Sequence, residues 1–362
     1  MKVITKESEK FLYKYLNSTS PTGFEWEGQQ VWVDYIKNFV DEIELDTYGT
    51  AYGVINPGQP YRVVIEAHAD EIAWYVNYIS DDGYINVIRN GGSDHIIAPS
   101  MRVNIHTPKG IVNGVFGWPA IHVRKGKDSN LSPKMENIFI DVGAKDKKEV
   151  KAMGVHVGCV ITFDEELMKM NDKYYVGKAL DNKMGGFCIA EVARLLKKNK
   201  KKLPFSLYVV NAVQEEIGLR GAEMIANNIQ PDVAIVTDVT HHTASPLMKA
   251  KEQGDQRAGL GPVLTYAPAV HNKLLKMIEK AADKKKIPYQ RSASSRSTGT
   301  DTDAFAYSNK GVASALISLP LKYMHTTVEM AHKQDIENVT LLIYETLLAI
   351  RKNHDFKYFK YK

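Results

Sequence analysis

The feature that most constrains this chain is a change of rhythm. From Ala73 to Phe163 the 3.6-residue periodicity of amphipathic helices nearly vanishes, while helical spacing recurs on both sides. Inside that block, short strand-like runs alternate with turns: YVNYIS, DDG and YINVI, then RVNIH, TPKG and IVNGVFG, and finally VHVGCVITF. Asp82-Gly83 and Lys109-Gly110 are hairpin signals, because glycine accepts the left-handed backbone that tight turns demand. The block therefore reads as a small β-barrel or β-sandwich. A chain carrying such a block in its middle folds its two flanks together around an insert. The expected division is an outer domain of residues 1–72 and 165–362 with an inserted β domain of residues 73–164.

The flanks alternate strands and helices. Ser8 to about Val40 is helical, broken by a loop at Thr19-Ser20-Pro21-Thr22-Gly23. Short apolar runs at Tyr61–Ala67, Phe205–Val213, Val233–Asp238 and Ala313–Leu319 read as buried strands. Helical spacing follows from Asp181 to Lys198, where Met184, Phe187, Cys188, Val192 and Leu195 share a face, then from about Gly221 and from His271 to Lys286. Ile336, Val339, Ile343, Leu347 and Ile350 define a closing amphipathic helix. This order predicts an α/β fold with a mainly parallel sheet covered on both faces.

Composition excludes several classes. The chain has 362 residues, 44% hydrophobic and 25% charged, with a formal net charge of +5, so charge does not point to nucleic acid. The basic run Lys197-Lys198 with Lys200-Lys201-Lys202 falls at an expected helix end, where cations suit the helix dipole. Two cysteines, Cys159 and Cys188, with no C-x-x-C spacing exclude a disulfide framework and a thiolate zinc knuckle. Short-period repeats are absent, which argues against a solenoid. The first residues, MKVITKESEKFLYKYLNS, lack a secretory apolar core, and no apolar stretch reaches the roughly 18 residues of a membrane span. The expectation is a soluble cytoplasmic protein without a membrane partner.

The chemistry-bearing residues fall at strand ends. His68 and Asp70 follow YRVVIEA, Glu215 and Glu216 follow FSLYVVNAV, Asp238 ends VAIVTD, and His325 follows ASALISLPLKY. Asp181 stands between a glycine-containing loop and its helix, at a natural N-cap position. Singly each has an ordinary explanation: a capped surface histidine, a helix cap, an acidic turn. Together they place imidazoles and carboxylates at one edge of one sheet, where open α/β sheets bind ligands. Bare charges gathered there are costly, and divalent cations with mixed nitrogen and oxygen ligands make the cluster physically sensible. His241 and His242 are expected to line the pocket or to face solvent. His95, His122 and His156, in the β block, have no acidic partners at useful spacing.

The strings AHADEIA (67–73), GKALDNKMGG (177–186), VQEEIGLRGA (213–222), IVTDVT (235–240), STGTDTDAF (297–305) and YMHTTVEMAH (323–332) together resemble the tetrahedral-type (TET) dinuclear metallo-aminopeptidases, which include glutamyl and lysyl aminopeptidases and members labelled endoglucanase. The resemblance spans nearly the whole chain in co-linear order. It implies a phosphorylase/hydrolase-like catalytic domain, a mixed sheet sandwiched by helices, with an inserted PDZ-like β domain that mediates dimerisation. It also implies two divalent ions per subunit, zinc foremost with cobalt or manganese as alternatives. One would be held by His68 and Asp238, the other by Glu216 and His325, with Asp181 bridging. Glu215 would be the general base and Asp70 would orient His68. Short peptides would be the substrates, and dimers would assemble into a tetrahedral dodecamer. Ala69, Lys183 and Asp303 depart from the usual family pattern, as does the segment after Asp238; none removes an implied ligand, and substrate preference stays open. Two other readings remain: a metal-dependent hydrolase of another substrate, as the endoglucanase label suggests, and a catalytically silent peptide-binding shell.

Overall fold

A computed structural model of the chain describes residues 1–125 and 131–360. Two sheets organise it, one of eleven strands and one closed into a six-stranded barrel. The four runs expected as buried strands form the middle of the large sheet. Ser206–Ala212, Arg62–His68, Val233–His241 and Ala313–Lys322 lie side by side in that order, all parallel. Their residues are buried almost throughout, which is why the sequence reads as continuous apolar runs instead of alternating ones.

The expectation of a mainly parallel sheet holds only for this core. Glu42–Leu45 and Ala51–Ile55 add antiparallel strands at one edge, and Glu329–His332, Tyr174–Gly177 and Met168–Met170 add them at the other. These strands are short, and Glu42–Leu45 is mostly exposed, so local pattern does not mark them. The sheet is therefore mixed.

Leu180–Lys198 is the central helix. It packs on the sheet and is surrounded by Lys6–Leu16, Trp26–Ile36 and Lys333–Ala349, so nearly all of it is buried. Arg220–Ile229 and Thr302–Ala306 pack on each other and on the sheet strands Ser206–Ala212, Val233–His241 and Ala313–Lys322.

The barrel closes in the order Ala73–Ile79, Ile85–Asn90, Ile140–Asp141, Gly110–Phe116, Arg102–Thr107, Val160–Phe163. Both hairpin signals lie in its turns, with Gly83 at φ +87° and Gly110 at φ +115°. Its interior is a separate apolar cluster around Trp74, Phe116, Ile105 and Ile161. The barrel therefore has its own core, distinct from that of the large sheet.

Candidate active site

The site forms where the parallel strands end. Ala212 and His68 are register partners on neighbouring strands, and on the next strand Asp238 pairs with Ser318 of the strand beyond it. The chain leaving each strand end supplies the remaining groups. They converge on a cleft of about 600 Å³ whose wall includes His68, Asp181, Glu215, Glu216, Asp238 and His325.

Asp181 is the geometric centre. Its Oδ1 lies 3.2 Å from His68 Nε2 and its Oδ2 lies 3.2 Å from His325 Nε2, so one carboxylate faces two imidazoles in opposite directions. On the first side, Asp238 Oδ1 is 3.7 Å and Glu215 Oε2 3.9 Å from His68 Nε2. On the second, Glu216 Oε1 is 3.3 Å from His325 Nε2. Two sets of potential ligand atoms, from His68, Asp181 and Glu216 and from His68, Glu215 and Asp238, each lie within 4.8 Å of one another. Imidazole nitrogens and carboxylate oxygens with no thiolate suit zinc and neighbouring divalent cations, and the residues present fit such ions.

Asp181, which taken alone reads as a helix cap, does not cap one. The helix is preceded by Ala179 in the left-handed region, Asp181 has non-helical angles, and its side chain makes no cap. Asn182 does the capping instead, accepting from Gly185 N–H at 3.1 Å and donating to Thr237 O at 2.8 Å. Those bonds leave the Asp181 carboxylate free to face the histidines. The Asp181–Asn182 peptide bond is cis. Gly185 is obligatory here, because a Cβ would sit 2.3 Å from Asn182 Oδ1.

Asp70 is fully buried beneath the cluster, its Oδ1 3.4 Å from His68 Nδ1. It accepts backbone N–H groups from Glu215 at 3.0 Å and Glu216 at 3.2 Å, and the Thr22 hydroxyl at 2.9 Å. One carboxylate thus holds the backbone of the segment bearing two site acids, with the His68 ring beside it.

Electrostatics reflect the crowding. Burial, reinforced by Asp238, Asp301 and Glu216, drives Glu215 up to about 10 despite the nearby His68. Burial and Asp181 raise Glu216 to about 6 against the pull of His325. Burial works against charge on His325, yet its contacts with Asp181 and Glu216 win and raise it to about 11. Asp181 is also penalised by burial, but the two imidazoles hold it well below the usual carboxylate range. Four carboxylates and two imidazoles compensate one another through protons, a task that cations perform equally well.

Other groups were not foreseen. Glu329, 2% exposed, accepts N–H groups from Asp181 and His325; an acid within an apolar strand start was the available signal. Glu66 and Asp301 form a second buried acid pair beside the cluster, and burial raises Glu66 to about 8. Lys178 and Lys183 both approach the buried Glu71, and Lys183 donates to Ser18 O at 2.6 Å. Asp303 lines the cleft and accepts from Thr298 N–H at 2.9 Å. His241 lines the cleft, exposed, and His242 accepts from Ala258 N–H at 2.9 Å. His95 and His156 stay in the barrel, away from the cleft lining.

Comparison with known proteins completes the picture. The M42 glutamyl aminopeptidase family profile matches residues 49–342. A lysyl aminopeptidase of Pyrococcus furiosus is 32% identical, covering 96% of this chain and 98% of its own. The crystal structure of a TET aminopeptidase from a marine-sediment Thaumarchaeota archaeon superposes with a TM-score of 0.89 at 27% identity, covering 95% of this chain and 99% of that one. A Pyrococcus horikoshii TET1 peptidase, described as assembling into a tetrahedron or a large octahedral shell, gives 0.80 at 27% identity, covering 93% and 98%. With a profile match over most of its length and a full-length relative at this identity, the chain belongs to the M42 glutamyl aminopeptidase family, in its TET-type branch.

Proposed function

We propose that this protein is a dinuclear metallo-aminopeptidase that removes N-terminal residues from short peptides. The single observation that carries the reading is the Asp181 carboxylate, split between His68 and His325 at 3.2 Å on each side. Asp181 would serve two cations, one that His68 and Asp238 would hold with it and one that Glu216 and His325 would hold with it. Zinc suits the donors best; cobalt and manganese are accepted by the same set. Cations seated there supply a Lewis acid for the scissile carbonyl and an activated water.

The residues of this chain do the rest. Glu215, whose Oε2 lies 3.9 Å from His68 Nε2, is assigned the role of general base beside the cation that His68 and Asp238 would hold. It takes the proton of the attacking water and returns it to the leaving amine. Asp70 holds Glu215 and Glu216 in divergent directions through their backbone N–H groups, which explains the need for two adjacent acids. Residues 1–72 with 165–362 form the catalytic domain.

The insert, residues 73–164, is the dimerisation domain and is PDZ-like. Its exposed apolar side chains, among them Ile88, Ile111, Val115 and Val157, support a role in contacts between copies. Dimers assembling into a tetrahedral dodecamer would enclose the clefts and admit only short chains, so light scattering should show a mass far above 40.6 kDa. The mechanism is tested by Glu215→Gln: cations are retained while turnover falls about 10²–10⁴-fold or more. Wild-type turnover in that variant rejects Glu215 as the base.

A further inference from the structure

His325 is held in an unusual way. Its φ is +61°, in the left-handed region that a side chain disfavours. Its N–H donates to Glu329 Oε1 at 2.7 Å, and Glu329 Oε2 accepts the Asp181 N–H at 3.1 Å. One buried carboxylate therefore ties the backbones of the two residues whose side chains meet at 3.2 Å. Asp70 makes the equivalent tie on the other side of the cluster, to Glu215 and Glu216.

The barrel supplies a second restraint. Strand Ile85–Asn90 runs into Gly91-Gly92, and a Cβ on Gly92 would stand 2.5 Å from His325 Nδ1 and 2.6 Å from its Cε1. The Gly92 backbone thus lies directly against the imidazole. Gly91 makes a similar approach, with a Cβ there falling 3.2 Å from Glu216 Cβ. The turn is anchored at both ends: Asn90 Nδ2 donates to Thr22 O at 2.7 Å and Ser93 Oγ to Ala73 O at 2.6 Å. His325 is gripped by a carboxylate through its backbone and by the insert against its ring.

We propose that Glu329 and Gly92 are positioning residues for His325, so that the cation that Glu216 and His325 would hold depends on both more than the cation that His68 and Asp238 would hold, which Glu329 reaches only through the Asp181 N–H. The inference rests on reading the site as a two-cation centre. It makes the barrel one wall of that centre as well as a platform for assembly. Gly92→Ala forces the imidazole to move, and Glu329→Gln replaces one of two backbone acceptors with a donor that faces an N–H.

The test is calorimetric titration of the cation-free full chain with zinc alone, run on wild type, Gly92→Ala and Glu329→Gln, with melting curves to confirm folding. The expected result is two cations in wild type, in Gly92→Ala one bound as before and one weakened about 10–100-fold, and in Glu329→Gln that same cation weakened more than the other. In the cation-free variants, ¹⁵N NMR should show the His325 ring shifted more than the His68 ring. Equal weakening of both cations, or of neither, overturns the proposal. A wild type that binds no zinc sinks the two-cation reading itself, and that result is read without either variant. Should Gly92→Ala fail to fold, the near-isosteric Glu329→Gln decides alone.

Discussion

The barrel interior is dry. Between Ala73 and Phe163 the buried polar side chains among the described residues are Asn90, Ser93 and Thr162, set around an apolar cluster of Trp74, Phe116, Ile105 and Ile161. The large sheet instead buries Glu66, His68, Asp70, Asp181, Asp238 and Glu329 at one end of its parallel strands. The contrast shows where stability is spent. An apolar interior follows from burial alone, whereas each buried charge requires a partner or a shifted pKa and is retained for chemistry. Where the two regions meet, the Gly91-Gly92 turn reaches the site itself.

Three measurements bear on that contrast. Trp74→Ala removes the largest buried side chain of the barrel and should destabilise it by about 3–5 kcal/mol, read as a fall in the urea midpoint. A loss below about 1 kcal/mol would show that the barrel core does not rest on tight packing. Chelation of the bound cations should act in the opposite place. Relative to protein with free cation at 100 times its dissociation constant, stability falls by about 2.7 kcal/mol. Hydrogen exchange should rise near Asp181–Gly186 and Glu215 and stay constant in strands Ala73–Ile79 and Arg102–Thr107; uniform loss of protection would erase the distinction.

The third measurement concerns Glu25, a buried acid in the loop before the second helix. Burial, then the nearby Asp70, pushes its carboxyl from 4.5 to about 8. Between those values the folded chain keeps a proton that the unfolded chain has released. Its contribution is therefore complete below pH 4.5 and is lost as pH rises through 8. Glu25→Gln keeps an acceptor for Gly23 N–H, which Glu25 Oε1 binds at 2.7 Å, and cannot ionise. Relative to wild type it should match in stability at pH 4 and gain at pH 8 in urea unfolding. A gap that does not change with pH would mean that Glu25 stays ionised in the fold.

Much of this was legible in the chain itself. The four central strands are apolar runs because both their faces are covered, and burial on two faces leaves a mark that needs no partner to be seen. The barrel turns were marked by Gly83 and Gly110, whose positive φ is a local demand. His68, Asp70, Glu215, Glu216, Asp238 and His325 stood out because each ends or follows a recognisable strand, and Asp181 because it stands between a glycine-containing loop and its helix. The edge strands escaped, since Glu42–Leu45 and Met168–Met170 are short and partly exposed, and their pairing comes from neighbours remote in sequence.

Sequence by itself determined which side chains arrive at the sheet edge, because strand length and polarity are encoded residue by residue. Only the tertiary structure decided what those side chains do on arrival. That Asp181 faces two histidines instead of capping its helix, that Glu329 joins two backbones, and that Gly92 lies against His325 all depend on contacts between segments far apart in the chain. Distances of that kind are set by the packing of whole elements against one another, and no local pattern records them.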